Sequence, residues 1–264
     1  MSQRDNWILF WMKKKNNYLI LRKLNPLIMY RLPLHFCFAL IFSFYVQAQE
    51  TEEISEPSQE RQVNVSEFIN LKVYSGIEVK LIPAKENKLI ISGGDRMDVV
   101  AKLKGETLKI RHSLEHILNP TFTYVELYHS GELDEISLYQ GADLKVDSIY
   151  RQTSISLKVQ EGSSMNFKFE GQKLTSTVST GGKLFLSGKA TNHRSTVNSG
   201  GACEGETFET EQTKVGVTAG GMSYVYASKL LEAKVTAGGI IRIYGNPNKT
   251  VTKKTIGGQI FEMK

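Results

Sequence analysis

The 264-residue chain has only two cysteines, two tryptophans and six prolines. Cys37 and both tryptophans, Trp7 and Trp11, fall within the first 48 residues. The remainder keeps Cys203 alone, which excludes an intramolecular disulfide framework and a cysteine-rich zinc module. Aspartate is scarce too: five follow residue 48 and none follows Asp147. A calcium-binding nonapeptide solenoid needs a repeated Asp, so that class is excluded. Excess charge is also missing from the body of the chain. Residues 1–48 hold seven Lys/Arg and one acid, and residues 49–264 hold 26 bases and 26 acids. The overall charge of +6 therefore belongs to the leader. Composition gives the body no phosphate-binding field, and no nucleic-acid partner is expected. The whole chain's 41% hydrophobic content is enough for a core and argues against disorder.

The segment Met29–Ala48 reads as a secretory signal peptide, with Arg31 as its n-region and an apolar run over 36–46. Val46-Gln47-Ala48 places a small residue at a cut before Gln49. The alternative, an uncleaved anchor, is disfavoured by the shortness of that run. Residues 1–28 fit neither a signal nor a domain, which points to Met29 as the true start. Cys37 follows bulky Phe36 and is not a convincing lipidation site. Residues 49–62 open with the acidic Gln49–Glu60 and read as a flexible tether.

The strongest signal is periodic. Glycine pairs fall at 181–182, 200–201, 220–221, 238–239 and 257–258. Counted on the second glycine, the spacings are 19, 20, 18 and 19, and Gly162 and Gly141 extend the series with 20 and 21. Each unit is a short strand, a Gly-Gly corner and another short strand, with period-two alternation on both sides and no helical period. The expected fold is all-β: a right-handed parallel β-helix-like solenoid over 131–264 with coils of about 19 residues. A β-rich region over 63–130 precedes it and is expected to cover its first coil, which would otherwise expose an unpaired edge.

Stacked coils align equivalent residues into ladders. Val178, Val197, Val217 and Val235 form one and are expected to point inward, with Lys254 as the exception at the last coil. The small residues Thr180, Ser199, Ala219 and Ala237, with Ile256, are expected inward as well. Ser179, Asn198, Thr218, Thr236 and Thr255 lie between them and point outward. The corner glycines supply positive φ or close backbone approach. A phosphate cradle would need a helix N-terminus after the glycines, and none follows.

The opening Phe68–Ile82 (FINLKVYSGIEVKLI), the later Gly105-Glu-Thr-Leu-Lys-Ile110, the Gly-Gly series and the closing Ile243-Tyr-Gly-Asn-Pro247 resemble the head GIN domain family. These Bacteroidetes envelope proteins are described as "putative auto-transporter adhesins". The resemblance covers about 65–262. It implies a secreted, β-helical, non-catalytic protein and carries over no catalytic residue.

Other constellations are weaker. His112-Ser-Leu-Glu-His116 matches the order H-x-x-E-H of inverted zinc peptidases. That chemistry needs a helix, and Asn119-Pro120 follows too closely. Glu204, Glu206, Glu209 and Glu211 cluster on one coil, and a glycosidase pair is the sharp reading. A solvated, charged coil surface accounts for them more simply. His193 stands alone in the repeat and reads as a satisfied residue. Cys203 occupies the ladder position of Leu184, Ser223 and Ile241 and reads as inward and inert. No catalytic, cofactor or metal site is expected.

The alternation after each corner places Met222, Tyr224 and Tyr226 outward, then Ile240, Arg242 and Tyr244, then Gln259, Phe261 and Met263. Tyr224, Arg242 and Phe261 then share one row, and Tyr226, Tyr244 and Met263 another. The earlier coils offer Phe185 and Glu204, then Ser187 and Glu206. A contiguous apolar patch marks an interface. The expected occupant is a second copy of the chain, with a glycan or cell-surface protein as alternatives. The rival is a fold-back of the chain's own N-terminal region. The function expected is an exported, non-catalytic binding or structural module of the bacterial envelope, adhesin-like, in the periplasm, on the outer-membrane surface or outside the cell. The alternatives are a carbohydrate-active enzyme on a β-helix scaffold and a periplasmic signalling partner. Membrane contact is left open.

Overall fold

The computed structural model describes residues 60–113 and 122–263. The leader, residues 49–59 and most of the H-x-x-E-H segment lie outside them. The described residues form an all-β solenoid of about seven turns. Pro57–Lys264 is one compact unit.

Two parallel ladders run along the stack. The first joins β6 (Thr107–His112), β2 (Asn70–Val73), β8 (Glu135–Leu138), β11 (Ser154–Val159), the second halves of β12 (Ser164–Val178), β13 (Lys183–Val197) and β14 (Ala202–Val217), then β16 (Leu230–Thr236) and β18 (Lys249–Thr255). The second joins β7 (Thr123–His129), β3 (Glu78–Pro83), β9 (Asp143–Lys145), the first halves of β12, β13 and β14, then β15 (Met222–Tyr226), β17 (Ile240–Tyr244) and β19 (Gln259–Glu262).

Chain order and stacking order differ at the N-terminal end. The first coil in sequence, β2 and β3, is the second in space, and β6 and β7 return to stack outside it. Beyond them, β5 (Val99–Lys104) pairs antiparallel with β6, and β4 (Lys88–Gly93) with β7. β1 (Arg61–Asn64) pairs antiparallel with β4, so Arg61 and Gln62 belong to a strand and not to the tether. The opposite end stops at β18 and β19. Every residue of β18 is exposed, and its Lys249, Lys253 and Lys254 discourage strand addition at that edge.

The glycine pairs turn out to be two different devices. Thr180 and Gly181 have φ of 51° and 72°, and Gly182 N donates to Ser179 O at 2.9 Å. Two central residues at positive φ make a type I′ turn. The same turn recurs at Ser75-Gly76, Gln140-Gly141, Glu161-Gly162, Ser199-Gly200, Ala219-Gly220, Ala237-Gly238 and Ile256-Gly257. Gly141 and Gly162 are therefore equivalents of the first glycine of each pair. The expectation that Thr180, Ser199, Ala219, Ala237 and Ile256 point inward is overturned: they occupy the left-handed turn position and are exposed. From Gly76 to Gly238, each of these glycine N–H groups donates along the stack, as from Gly181 to Ser199 O at 3.2 Å and from Gly200 to Ala219 O at 3.1 Å.

The second glycine is needed for closeness. Gly182, Gly201, Gly221 and Gly239 are buried, and an added Cβ at Gly239 would meet Val217 Cγ1 at 2.7 Å. Upstream the same position holds Ile77, Ala142 and Ser163, all fully buried. The cross-section thus narrows towards the C-terminal coils. Val178, Val197, Val217 and Val235 line the interior at 0–2% exposure, whereas Lys254 lies on the exposed final strand.

Candidate interaction surface

Alternation decides which side chains reach the outside of β15, β17 and β19. Ser223, Val225, Ile241 and Ile243 are buried, so Met222, Tyr224, Tyr226, Ile240, Arg242 and Tyr244 face outward and are half-buried by one another. Register places Tyr224 beside Arg242 and Arg242 beside Phe261. Tyr226 lies beside Tyr244, and Met263 follows Glu262, the partner of Ile243. Arg242 Nη1 donates to Tyr224 Oη at 2.8 Å, and its guanidinium lies 5.0 Å from the Tyr224 ring centroid. The Tyr224 and Tyr244 rings are 6.3 Å apart. Phe261 and Met263, on the last coil, remain 44% and 38% exposed.

The row through Phe185 and Glu204 continues into Tyr224 as its spacing implies. The neighbouring row does not, because the register shifts between Phe185 and Ser187 and pairs Ser187 with Thr207. The extra residue there redirects Glu206 towards an open cleft of about 940 Å³. Tyr226, Tyr244, Asn246, Pro247, Glu262 and Met263 line the same cleft. Of these, Asn246, Pro247 and Glu262 are not legible from the ladder, which does place Glu206 near Tyr226 but opposite Ser187 instead of in a bulge. The signal for Glu206 is the 20-residue spacing from Gly201 to Gly221.

The groups suited to chemistry are sealed or scattered. His193 is buried, its Nε2 lies 3.0 Å from Ser176 Oγ, and Phe208 meets it edge-on at 5.4 Å. Burial pulls the imidazole down to about 4, so it is neutral at pH 7. Cys203 lies at the Leu184 and Ser223 position, and burial pushes its thiol up to about 11. A neutral thiol inside a solenoid is a packing residue. His112 closes β6, so the H-x-x-E-H order begins on a strand, and Leu114, Glu115 and His116 lie outside the described residues. Glu211 is paired with Lys229 at 2.8 Å. Among the described residues, no group of three or more His, Cys, Asp or Glu side chains is placed to hold a metal ion.

A family profile described as "Putative auto-transporter adhesin, head GIN domain" matches residues 67–247. The chain belongs to this family. A "putative adhesin" from Bacteroides fragilis has a similar fold, with a TM-score of 0.69 at 17% identity, covering 79% of this chain and 98% of that one. A "putative lipid binding protein" from Parabacteroides distasonis gives 0.59 at 17%, covering 80% and 98%. A "putative adhesin" from Parabacteroides merdae gives 0.59 at 14%, covering 80% and 98%. No curated protein matches the chain. At these identities the likeness concerns the fold.

The head GIN match ends at Pro247, between β17 and β18. It includes Tyr224, Tyr226, Arg242 and Tyr244 and stops short of Phe261 and Met263. The exposed apolar end of the surface therefore lies on the coil outside the family match. Within the described residues, β1 to β7 stack at the far end of the solenoid and do not cover this surface.

Proposed function

We propose that this head GIN protein is exported, cleaved before Gln49, and serves as a non-catalytic adhesion module of the cell envelope. Its partner surface is the outer face of the last three coils, and its first partner is a second copy of the chain. The observation that carries this reading is the pair of rows Tyr224, Arg242, Phe261 and Tyr226, Tyr244, Met263. They form a contiguous aromatic and apolar strip that ends at an exposed coil. Tyr, Met and Arg are the residue types enriched in interface cores.

Light scattering and thermal melting of Tyr224→Glu combined with Tyr244→Glu test the interface. An oligomeric wild type and a monomeric variant with an unchanged melting point are expected. A wild type that is monomeric at all concentrations would refute self-association. N-terminal sequencing of the exported protein should begin near Gln49, and a full-length cytoplasmic product would refute export.

A second reading is favoured by the cleft. Tyr226 and Tyr244 offer faces for stacking, and Glu206, Glu262 and Asn246 offer hydrogen bonds, which suits a glycan. A glycosidase on the same scaffold would release reducing ends from polysaccharides. A signalling partner would co-purify with the protein. The adhesion reading expects neither.

A further inference from the structure

The even charge balance of the body hides a division by face. Outward side chains on the ladder β6–β2–β8–β11–β12–β13–β14–β16–β18 include ten Lys or Arg and only two carboxylates, Glu135 and Glu232. Each carboxylate is matched by one lysine, Lys158 to Glu135 and Lys214 to Glu232, both at 2.6 Å. No other cation of this face makes a salt bridge within 4 Å among the described residues, although Lys72 lies in the field of Glu135, and Arg194 and Lys249 lie in that of Glu232. On the opposite ladder the charges are mixed, and Lys80–Asp147 and Lys145–Glu78 neutralise one another at 2.9 and 2.8 Å.

Register makes the concentration of charge costly. Lys72 pairs directly with Lys109, Arg194 with Lys214, and Lys234 with Lys253. Like charges directly opposite one another destabilise a sheet. Folding does not ask for these pairs, and an anion lying across them would relieve them.

The rest of the face is suited to sugars. Ser179, Asn198, Thr218, Thr236 and Thr255 occupy successive coils along its corner edge and present hydroxyl and amide groups. At the other end of that edge, Tyr74 and Tyr139 stack at 4.9 Å with 13° between their planes. Gly216 sits between Thr196 and Lys234 in the outward row, with ordinary φ and nothing within 4 Å of a built Cβ. Neither backbone nor packing requires glycine there. Its missing side chain opens a depression of about 340 Å³, bordered by Arg194, Lys214, Lys234 and Lys253 and by one carboxylate, Glu232, which Lys214 neutralises. Ligand pockets start at about 300 Å³.

We infer that this face binds a linear acidic polysaccharide laid along the solenoid axis. At a spacing of about 4.8 Å per strand, the nine strands offer a track of roughly 38 Å. Carboxylates or sulfates of the glycan meet the cation pairs, and its hydroxyls meet the corner row. A single-stranded nucleic acid would call for aromatic platforms repeated along the track. Here the stacked pair stands at one end. A membrane surface would gain nothing from the depression at Gly216.

The test uses the exported chain with polygalacturonate as probe, against neutral dextran, anionic phospholipid vesicles and single-stranded polynucleotide. Polygalacturonate should bind in a salt-sensitive manner and raise the melting temperature, and dextran should not bind. Removing charge with Arg194→Gln, Lys234→Gln and Lys253→Gln together should weaken binding about tenfold or more. Gly216→Thr keeps every charge and matches Thr177 and Thr196 in the same row. It should fold with an unchanged or slightly higher melting point and weaken binding about threefold or more by filling the depression. Lys183→Gln with Lys189→Gln, on β13 away from this row, should bind like wild type. Failure to bind polygalacturonate, unaltered binding by either the triple variant or Gly216→Thr, or tighter binding of vesicles or polynucleotide would overturn the inference. None of these outcomes depends on the oligomeric state set by Tyr224 and Tyr244.

Discussion

A Cβ added to Gly182 would lie 2.3 Å from the carbonyl oxygen of Val159 in the neighbouring coil. Gly181, its neighbour in sequence, has open space around it but a φ of 72°. The two glycines therefore fail differently. Gly181→Ala places an L-residue in the left-handed region and should cost about 1 kcal/mol. Gly182→Ala forces two hydrogen-bonded coils apart and should cost about 3 kcal/mol. Urea unfolding of the two variants checks the order, and equal losses would contradict it.

Ile256 poses the opposite case. It is β-branched, 78% exposed, and held at a φ of 47°. A β-branched side chain fits that region poorly, whereas Asn enters it readily. Ile256→Asn should stabilise the last coil by about 1 kcal/mol. Slower amide hydrogen exchange over β18 and β19 would show it, and unchanged exchange would count against it.

These two cases also show how far the sequence could be read. Val217 and Val235 were legible as core because strict alternation fixes the face of every strand residue. The row of Tyr224, Arg242 and Phe261 followed from the same rule and a constant coil length. Alternation does not place Thr180, because it stops at a type I′ turn, where the backbone reverses hand. A constant coil length pairs Ser187 with Glu206, and one added residue in β14 shifts its partner to Thr207. The position of β6 outside β2 was hidden, since a return of the chain to an earlier strand leaves no periodic trace. The basic face was hidden for another reason: net charge averages over faces, and Lys234 beside Lys253 appears only once the coils are stacked.

The solenoid interior sets up a contrast between adjacent residues. Val217 is 2% exposed, and Thr218 is exposed at the start of the turn. Val217→Lys gives up about 1.5–3 kcal/mol of burial and adds an unpaired charge. It should unfold the C-terminal coils or lower the melting point strongly. Thr218→Lys should stay within about 0.5 kcal/mol of wild type. Equal melting temperatures would mean that the faces are assigned wrongly.

Acid stability should report on two of the three buried histidines, His193 and His129. His193 sits in the core beside Ser176 and Phe208, and desolvation lowers its pKa from 6.5 to about 4. His129, against Phe68, is lowered to about 4 by the same cause. A depressed folded-state value means that the unfolded chain takes up the proton first, as pH falls below 6.5. The stabilisation from keeping the ring neutral is complete above that value and is lost as pH falls towards 4. For a fully buried ring the loss is about 3 kcal/mol between pH 7 and pH 4. The ladder supplies a compatible replacement, because His193 stacks on Leu174 and Thr213. His193→Thr should flatten the fall in melting temperature between pH 6.5 and pH 4, leaving the share of His129 and the other titrating groups. A variant whose acid profile parallels that of wild type would show that His193 does not titrate with unfolding.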